Sequence, residues 1–370
     1  MSVLIIVVSP FIYDTAAVAW GLRESSHDVD VWFPQNYPAS ASLSLEFKSQ
    51  DKAKIYATSD LNDKQIGSKT FTSIWLRHRL QISESSTRAG FSDAAFAATE
   101  ADHLAQATLH LLSPSSMWVN HPRCNEKAFL KPLQLDIAQK IGFNVPKTLM
   151  SNDPNLIVEF ISKIGGVAVF KTFNAAAWET SNDNCFQSMS TLITKDMIDD
   201  SASLCPAIYQ EAIAKQSDVR VIVMGKQLFA ISQDSSKTDY VDSRLSRRME
   251  NPDISPVNLP EEVKSQCLQL MEYFGLVYGC IDLALDKAGV YWFFEVNPNG
   301  QFLGYEEICP SLPLLDTFCE FLVFGNPHYL RKQKRPRVRF KDFLKSDGTQ
   351  TSLAWQQKHT QAPAKHIYQD

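Results

Sequence analysis

Short apolar runs and helical patterns alternate in the first third of the chain and predict an α/β layer. Val3–Val8 is a continuous apolar run typical of a buried strand, and Val29–Phe33 has the alternation of a second strand. Apolar residues at helical spacing predict helices at Asp14–Glu24 and from Phe91 to Leu112. Ser113–Ser116 contains a proline and ends the helical pattern. We therefore predict an N-terminal α/β domain over residues 1–115.

Residues 116–206 form a second predicted lobe in which strands and helices alternate. One helix is predicted from Asn125 to Ile141, with Gly142 as its C-terminal cap. Pro154 suits the first turn of the next helix, where a missing backbone N–H costs nothing. The apolar run Val167–Lys171 predicts a strand that ends in a lysine and leads into a loop.

Residues 207–330 are predicted to form a third lobe built from hairpins. Ala207–Glu211 is its first predicted strand, and Leu312–Leu322 is its last predicted helix. The two hairpins join Val219–Val223 to Gln227–Ile231 and Tyr278–Leu285 to Val290–Val296. Residues 331–370 follow as a polar tail whose positive charge is concentrated at its start, and we expect this tail to be solvated.

Composition excludes several functional classes. The chain has 370 residues, 44% of them hydrophobic and 21% charged, which is typical of a soluble protein of two or three lobes. The net charge of -5 gives no basic field for nucleic acid. No apolar run is long enough to cross a membrane. The seven cysteines are scattered without a paired CxxC spacing, so we expect free thiols and a cytoplasmic location.

The second hairpin carries the residues whose chemistry is most specific. Asp282 lies within an apolar run, and Glu295 follows three bulky residues on the partner strand. Because side chains alternate along a strand, Glu295 and Asn297 point to the same face, and antiparallel pairing can bring Asp282 beside them. Two carboxylates and an amide oxygen form a hard oxygen site that suits magnesium far better than zinc. The pattern therefore predicts a magnesium site at this strand end.

This hairpin and the elements before it resemble the ATP-grasp superfamily over roughly Asn120 to Phe324. The segment 169–171 is similar to the family's strand that ends in a phosphate-binding lysine, here Lys171. The segment 208–213 resembles its hinge strand, which implies adenine contacts by Gln210, Glu211, Ala212 and Ile213. Asp218–Arg220 resembles the D-x-R of RimK-like members. Lys131 resembles the first phosphate lysine, and Lys127 is a competitor for that role.

A closer resemblance is to the microviridin-type peptide ligases, which make graspetides. Trp75–Arg79 is similar to that group's aromatic-then-arginine strand end, and Glu295–Phe302 is close to its metal motif. Asp242–Arg244 resembles its D-W-R stretch, although Ser243 replaces the tryptophan. The stretch after Lys171, Thr172 to Trp178, has no glycine, unlike the glycine-rich phosphate cover of many ATP-grasp proteins.

The resemblance implies an ATP-dependent ligase with ATP and Mg²⁺ as cofactors, and two ions are expected. Lys131 and Lys171 would neutralise phosphates, and Arg220 with Arg244 would hold the substrate carboxylate or the transferring phosphoryl group. An Asp or Glu side chain of a precursor peptide would be activated as an acyl phosphate and joined to an amine or hydroxyl. A RimK-like amino-acid ligase, a kinase and a non-catalytic ATP-binding module stay open, as does a homodimer.

Two further expectations concern the basic side chains. We expect a precursor leader to bind at the hairpin Val219–Ile231 and the stretch Asp239–Arg248, remote from the metals, through Arg244, Arg247 and Arg248. Purely structural ion pairs are the alternatives for several residues: Arg220 with Asp218 or Asp282, and Glu211 with Lys215.

Overall fold

The computed structural model describes most of the chain. It leaves out residues 9–12, 35–36, 39–40, 50–52, 68, 83–92, 174–176, 180–184, 188, 237, 239, 251, 334 and 361–370, and the side chains of 177–179, 185–187, 248–249 and 356–360. Within the described part, no helix is both long and apolar enough to cross a membrane.

The described strands are numbered in chain order. They are β1 (Ser2–Val7), β2 (Asp28–Trp32), β3 (Ser44–Glu46), β4 (Lys54–Tyr56), β5 (Ser73–Arg77), β6 (Met117–Val119), β7 (Thr148–Ser151), β8 (Val167–Lys171), β9 (Ala177–Glu179), β10 (Cys185–Gln187), β11 (Thr191–Thr194), β12 (Ala207–Glu211), β13 (Lys215–Met224), β14 (Gln227–Asp234), β15 (Ile254–Val257), β16 (Tyr278–Asp286) and β17 (Tyr291–Asn297).

The described helices are numbered in the same way. They are α1 (Tyr13–Glu24), α2 (Ala94–Leu111), α3 (Pro122–Ala128), α4 (Lys131–Ile141), α5 (Pro154–Lys163), α6 (Ser243–Met249), α7 (Glu261–Phe274), α8 (Leu303–Ile308), α9 (Leu314–Phe324), α10 (Phe340–Phe343) and α11 (Gly348–Thr360). Two short 3-10 turns lie at Lys195–Met197 and Asp200–Leu204.

An N-terminal parallel sheet has the strand order β2-β1-β5-β6. Its first strand is buried along almost its whole length, as its continuous apolar run predicts. Apolar side chains of α1 and α9 belong to the core cluster that also includes β1 residues. The α/β layer expected in the first third is therefore present.

A central antiparallel sheet has the order β11-β8-β12-β7, with α5 packed on it. Asp153 caps α5 through its side chain, and Pro154 occupies the first turn as expected. The single helix predicted from Asn125 to Ile141 is wrong, because the chain forms α3 and α4 instead. Pro132 explains the break, since a proline ring within a helix clashes with the carbonyl four residues earlier.

The C-terminal antiparallel sheet has the order β15-β14-β13-β16-β17. Both predicted hairpins are present in it, β13 with β14 and β16 with β17. Helix α7 packs on one face, where Phe274 and Leu270 join a core cluster with Val221 and Ile281. On the opposite face, Ile222, Met224 and Cys280 belong to another core cluster, whereas Arg220, Asp282 and Glu295 line a cavity. Strands β15 and β17 are the two edges of this sheet.

The expectation of a solvated C-terminal tail is wrong for part of the described segment, because Val338, Phe340, Phe343 and Trp355 are buried. The basic residues Lys332, Arg335 and Arg337 are exposed, as expected. Arg331 is largely buried and pairs with Asp316 at 2.7 Å and with Glu320 at 3.0 Å. Phe340 and Phe343 are buried against Tyr13, with ring centroids 5.8 and 5.4 Å apart. The tail's early positive charge is therefore partly used in ion pairs, and its aromatic residues complete the N-terminal core.

We expect Phe343→Ala to lower the free energy of unfolding by about 3–5 kcal/mol, because a buried aromatic ring is replaced by a cavity. Denaturant unfolding measures this change. Leu353→Ala is the matched control, since Leu353 lies in the same segment but is 52% exposed. Equal losses in both variants would contradict the packing of this segment as a core element.

Candidate active site

A cavity of about 800 Å³ lies between the central and C-terminal sheets. Every residue assigned from the sequence to phosphate, adenine, metal or carboxylate binding lines it, although the segments lie far apart in the chain. These residues are Lys131, Lys171, Gln210, Glu211, Ala212, Ile213, Arg220, Arg244, Asp282, Glu295 and Asn297. The fold therefore brings these eleven residues to one site.

The two acids Asp282 and Glu295 face each other across the β16–β17 ladder. Asp282 is the register partner of Glu295, and the register shifts immediately after this pair. Such a bulge re-aims side chains, and here the consecutive residues Phe294 and Glu295 both line the cavity. Burial raises the pKa of Asp282 despite the Arg220 guanidinium. Burial also opposes ionisation of Glu295, but the Lys131 ammonium, 2.9 Å away, holds the pKa of Glu295 below its usual value.

The donor set suits a hard divalent cation. Within the described part of the chain, no group of three or more His, Cys, Asp or Glu side chains is placed to hold a metal. The candidate site therefore consists of two carboxylates completed by the amide oxygen of Asn297. Oxygen ligands of this kind, with room left for water or phosphate oxygens, are those that Mg²⁺ uses. Asp282, Glu295 and Asn297 fit that ion.

Two lysines reach the cavity from the central lobe and from α4. Lys171 donates to Gln210 Oε1 at 2.7 Å, and its ammonium lies 4.5 Å from the centroid of the Phe294 ring. Burial lowers the pKa of Lys171 to about 8, although the Glu295 charge opposes the shift. Lys127, the competitor of Lys131, donates to the Tyr273 carbonyl at 3.1 Å and does not line the cavity. The geometry therefore favours Lys131 over Lys127.

The end of β12 forms the wall expected of a hinge strand. Gln210 is held by Thr148, whose hydroxyl accepts from Gln210 Nε2 at 2.9 Å. Glu211 accepts from the Lys147 backbone N–H at 3.3 Å, and the Lys147 ammonium is 3.8 Å away. The alternative pair of Glu211 with Lys215 is not formed, because Lys215 binds both carboxylate oxygens of Asp218 at 2.8 and 2.9 Å.

The arginines of the C-terminal lobe are already engaged with acids. Arg220 pairs with Asp282 at 2.9 Å, which is one of the structural alternatives left open by the sequence. Asp242 caps α6 and accepts from Arg244 at 2.9 and 2.6 Å. Burial opposes ionisation of Asp242, but hydrogen bonds from Arg244 and the Ser190 backbone bring its pKa down to about 2. Each guanidinium is thus held in a fixed orientation.

The expected separation between the arginine-bearing stretch and the metal residues is wrong. Arg244 and Arg247 line the same cavity as Asp282 and Glu295. They do so because residues 243–249 form helix α6 rather than an exposed polar loop, and Gln233 of β14 bonds both the Ser243 carbonyl and Arg247. The Arg248 side chain lies outside the described residues, as does part of the glycine-free stretch after Lys171.

The N-terminal domain contributes side chains that contact the site. Arg77 is buried at the end of β5, where it donates to the Asn299 carbonyl and pairs with Asp14 at 3.3 Å. Burial, followed by the neighbouring charge of Arg77, lowers the pKa of His78 to about 3, so this cavity-lining ring is neutral at neutral pH. Arg79 is exposed and does not line the cavity.

Sequence reasoning missed the side chains that hold the backbone of residues 296–301, here called the metal loop. Gln134 of α4 accepts from the Val296 N–H and donates to the Val296 carbonyl, both at 2.9 Å. Asn120 donates to the Pro298 carbonyl at 3.2 Å. Tyr278 donates to the Gly300 carbonyl, and Arg220 to that of Gln301. For Gln134, Asn120 and Tyr278, only their burial could have signalled these roles, and burial is not visible in one sequence.

Comparison with protein families matches residues 127–309 to the model of the RimK-like ATP-grasp domain. The chain contains a RimK-like ATP-grasp domain. This match covers the cavity's lysines, hinge strand, arginines and metal residues. The expected ATP-grasp resemblance is therefore confirmed. No curated protein matches the sequence.

Solved structures of ATP-grasp proteins are similar over nearly their whole length. The macrocyclase MdnC of Microcystis aeruginosa, bound with a precursor peptide, has a TM-score of 0.74 at 23% identity, covering 88% of this chain and 100% of its own. A RiPP-associated ATP-grasp ligase of Chryseobacterium gregarium, complexed with ADP and a leader and core peptide, has a TM-score of 0.77 at 21% identity, covering 91% and 99%. The macrocyclase MdnB of Microcystis aeruginosa gives 0.71 at 23%, covering 88% and 99%. These likenesses show the fold.

Burial in the cavity is expected to lower the pKa of Lys171. We expect the signal of Lys171, assigned by its absence in Lys171→Met, to titrate near pH 8 in nuclear magnetic resonance of isotope-labelled dimethyl-lysines, since burial disfavours the charged form. Glu295→Gln should move the midpoint lower still, because the Glu295 charge opposes the shift. A midpoint near the ordinary lysine value of about 10.4 would contradict the described burial of Lys171.

Proposed function

We propose that this protein is an ADP-forming ligase that activates a carboxylate with ATP and joins it to an amine or a hydroxyl. The observation that carries the proposal is the convergence of two lysines, an oxygen-ligand set and cavity-facing arginines in one ATP-grasp cavity. A phosphate-binding half and a carboxylate-binding half are both needed for such a reaction, and the cavity has groups suited to each.

ATP would lie between the two antiparallel sheets. Its adenine would meet the end of β12, at Gln210 to Ile213, and its phosphates would meet the ammonium groups of Lys131 and Lys171. Asp282, Glu295 and Asn297 would hold Mg²⁺, with two ions proposed. When bound, the metal supplies charge neutralisation on the phosphate oxygens. Lys131 now pairs with Glu295, so we expect its ammonium to turn towards phosphate when the metal binds.

The reaction would proceed in two displacements. A carboxylate oxygen attacks the γ-phosphorus in line and the bond to the β-phosphate oxygen breaks, giving an acyl phosphate and ADP. The amine or hydroxyl then attacks the acyl carbon, and inorganic phosphate leaves with the oxygen of the former carboxylate. Arg220 and Arg244 would stabilise negative charge as it moves, because their fixed orientations need no reorganisation. The cavity walls would protect the acyl phosphate from water.

The proposed substrate is the Asp or Glu side chain of a precursor peptide, and the proposed nucleophile lies on the same peptide, so the product is a macrolactam or macrolactone. Support comes from the fold likeness to the two macrocyclases and the peptide-bound ligase. The six described cysteines are free thiols, which suits a reducing cytoplasm. A homodimer stays a proposal.

Mass spectrometry of an acidic precursor peptide after incubation with enzyme, ATP and Mg²⁺ tests the proposed function. We expect the peptide to lose the mass of one water for each ring formed, with one ADP per ring. A gain of phosphate mass would instead indicate a kinase, and addition of a free amino acid would indicate a RimK-like transfer. Either result, or ATP binding without turnover, would contradict ring formation.

We expect Glu295→Gln to reduce turnover at least a hundredfold while the melting curve changes little, because the metal loses a charged ligand at the β17 end. Steady-state ADP release and thermal unfolding measure the two effects. Glu262→Gln, at an exposed position of α7, is the control and should retain full activity. Full ATP hydrolysis by Glu295→Gln would refute the metal assignment.

A further inference from the structure

Most basic side chains that line the cavity are neutralised within the protein. Four carboxylates pair with four basic groups at 2.6 to 2.9 Å: Lys131 with Glu295, Arg220 with Asp282, Arg244 with Asp242, and Lys215 with Asp218. Among the described cavity residues, Lys171 and Arg247 are the partly buried cations without a carboxylate in ion-pair distance, whereas Lys287 is exposed.

Lys171 and Arg247 are instead held by neutral acceptors. Gln210 Oε1 accepts from Lys171 at 2.7 Å. Gln233 Oε1 accepts from Arg247 Nε and Nη2, both at 3.2 Å. A neutral acceptor orients a cation but leaves its charge uncompensated, which is costly away from bulk water. Each of these two positions is therefore suited to an anion supplied by a ligand.

Tyr305 also holds Arg247, and its ring lies close to a second guanidinium, that of Arg220. The Tyr305 hydroxyl accepts from Arg247 Nη2 at 2.6 Å, and the ring is nearly buried. The Arg247 guanidinium carbon lies 4.7 Å from the ring centroid, and that of Arg220 lies 5.9 Å from it. Cation–π attraction to one ring holds two positive groups near each other despite their repulsion. Asp282 balances Arg220 alone, so the Arg247 charge is left over.

We propose that Arg247, oriented by Gln233 and Tyr305, binds the side-chain carboxylate that the enzyme activates. This inference rests on the proposed function, in which ATP phosphates occupy the other uncompensated cation, Lys171. A guanidinium suits this task because its planar N–H groups match a carboxylate. Arg220 and Arg244, whose guanidinium groups already bind acids of the protein, are then left to stabilise the transferring phosphoryl group. Arg247 thus sets the preference for an acidic residue over its amide.

A binding cycle between the enzyme and two small probes tests this role without turnover. The probes are N-acetyl-glutamate α-methylamide and its glutamine analogue, titrated against the full chain with Mg²⁺ and a non-hydrolysable ATP analogue. Ligand-observed nuclear magnetic resonance measures both dissociation constants. We expect the wild type to bind the acid at least tenfold more tightly than the amide. Arg247→Met should reduce this ratio to about twofold or less, whereas Arg79→Met, at an exposed arginine outside the cavity, should keep it.

Tyr305→Phe separates orientation from charge. It keeps the aromatic ring but removes the acceptor of the Arg247 N–H, so the acid-to-amide ratio should fall to an intermediate value. An unchanged acid-to-amide ratio in Arg247→Met would overturn the assignment, whether or not the affinity for the ATP analogue falls. A preserved ratio in Arg247→Lys would also overturn the orientation argument, because a lysine cannot reproduce the planar contact. The cycle measures binding only, so its result does not depend on whether the enzyme forms rings. A failure of ring formation would contradict the proposed function but would not by itself decide the role of Arg247.

Discussion

The backbone of the metal loop is the element on which the rest of the site depends. Strand β17 is one of the two edge strands of its sheet, and an edge strand leaves one row of N–H and C=O groups without a partner strand. Gln134 satisfies both groups of Val296, the residue between Glu295 and Asn297. Asn120, Arg77 and Tyr278 bind the carbonyls that follow. The candidate metal residues are thereby fixed by side chains from the N-terminal domain, α4 and the sheet itself.

These hydrogen bonds connect the lobes of the protein at the strands that carry the candidate metal residues. Asn120 also bonds the backbone at residues 277 and 278, where β16 begins, so β6 of the N-terminal sheet sets the start of the strand that carries Asp282. Buried neutral amides of this kind stabilise only when all of their groups are satisfied. The four side-chain oxygen and nitrogen atoms of Gln134 and Asn120 all have backbone partners. Precise placement of charge in the cavity therefore rests on uncharged residues.

The sequence predicted the charged half of the site because local patterns carry it. Alternation along β17 was enough to place Glu295 with Asn297, and apolar runs located β8 and β12. The bulge after Asp282 was not predictable, because register depends on the partner strand. The sequence contains no signal for the roles of Gln134 and Asn120, since their partners on β16 and β17 lie more than 150 residues away along the chain. The prediction for the C-terminal segment was wrong because it considered the positive charges without their partners on α9, the buried Asp316 and the partly buried Glu320, which pair with Arg331.

The central claim is that the cavity transfers a phosphoryl group to a carboxylate before a new bond forms. An isotope experiment tests this most directly: a precursor peptide whose acidic side chains carry a heavy oxygen isotope is incubated with the enzyme, ATP and Mg²⁺. The account predicts that each ring closed releases one inorganic phosphate containing one labelled oxygen atom, because the carboxylate oxygen leaves with phosphorus. Phosphate released without label while rings form would contradict acyl-phosphate activation, and with it the assignment of the cavity.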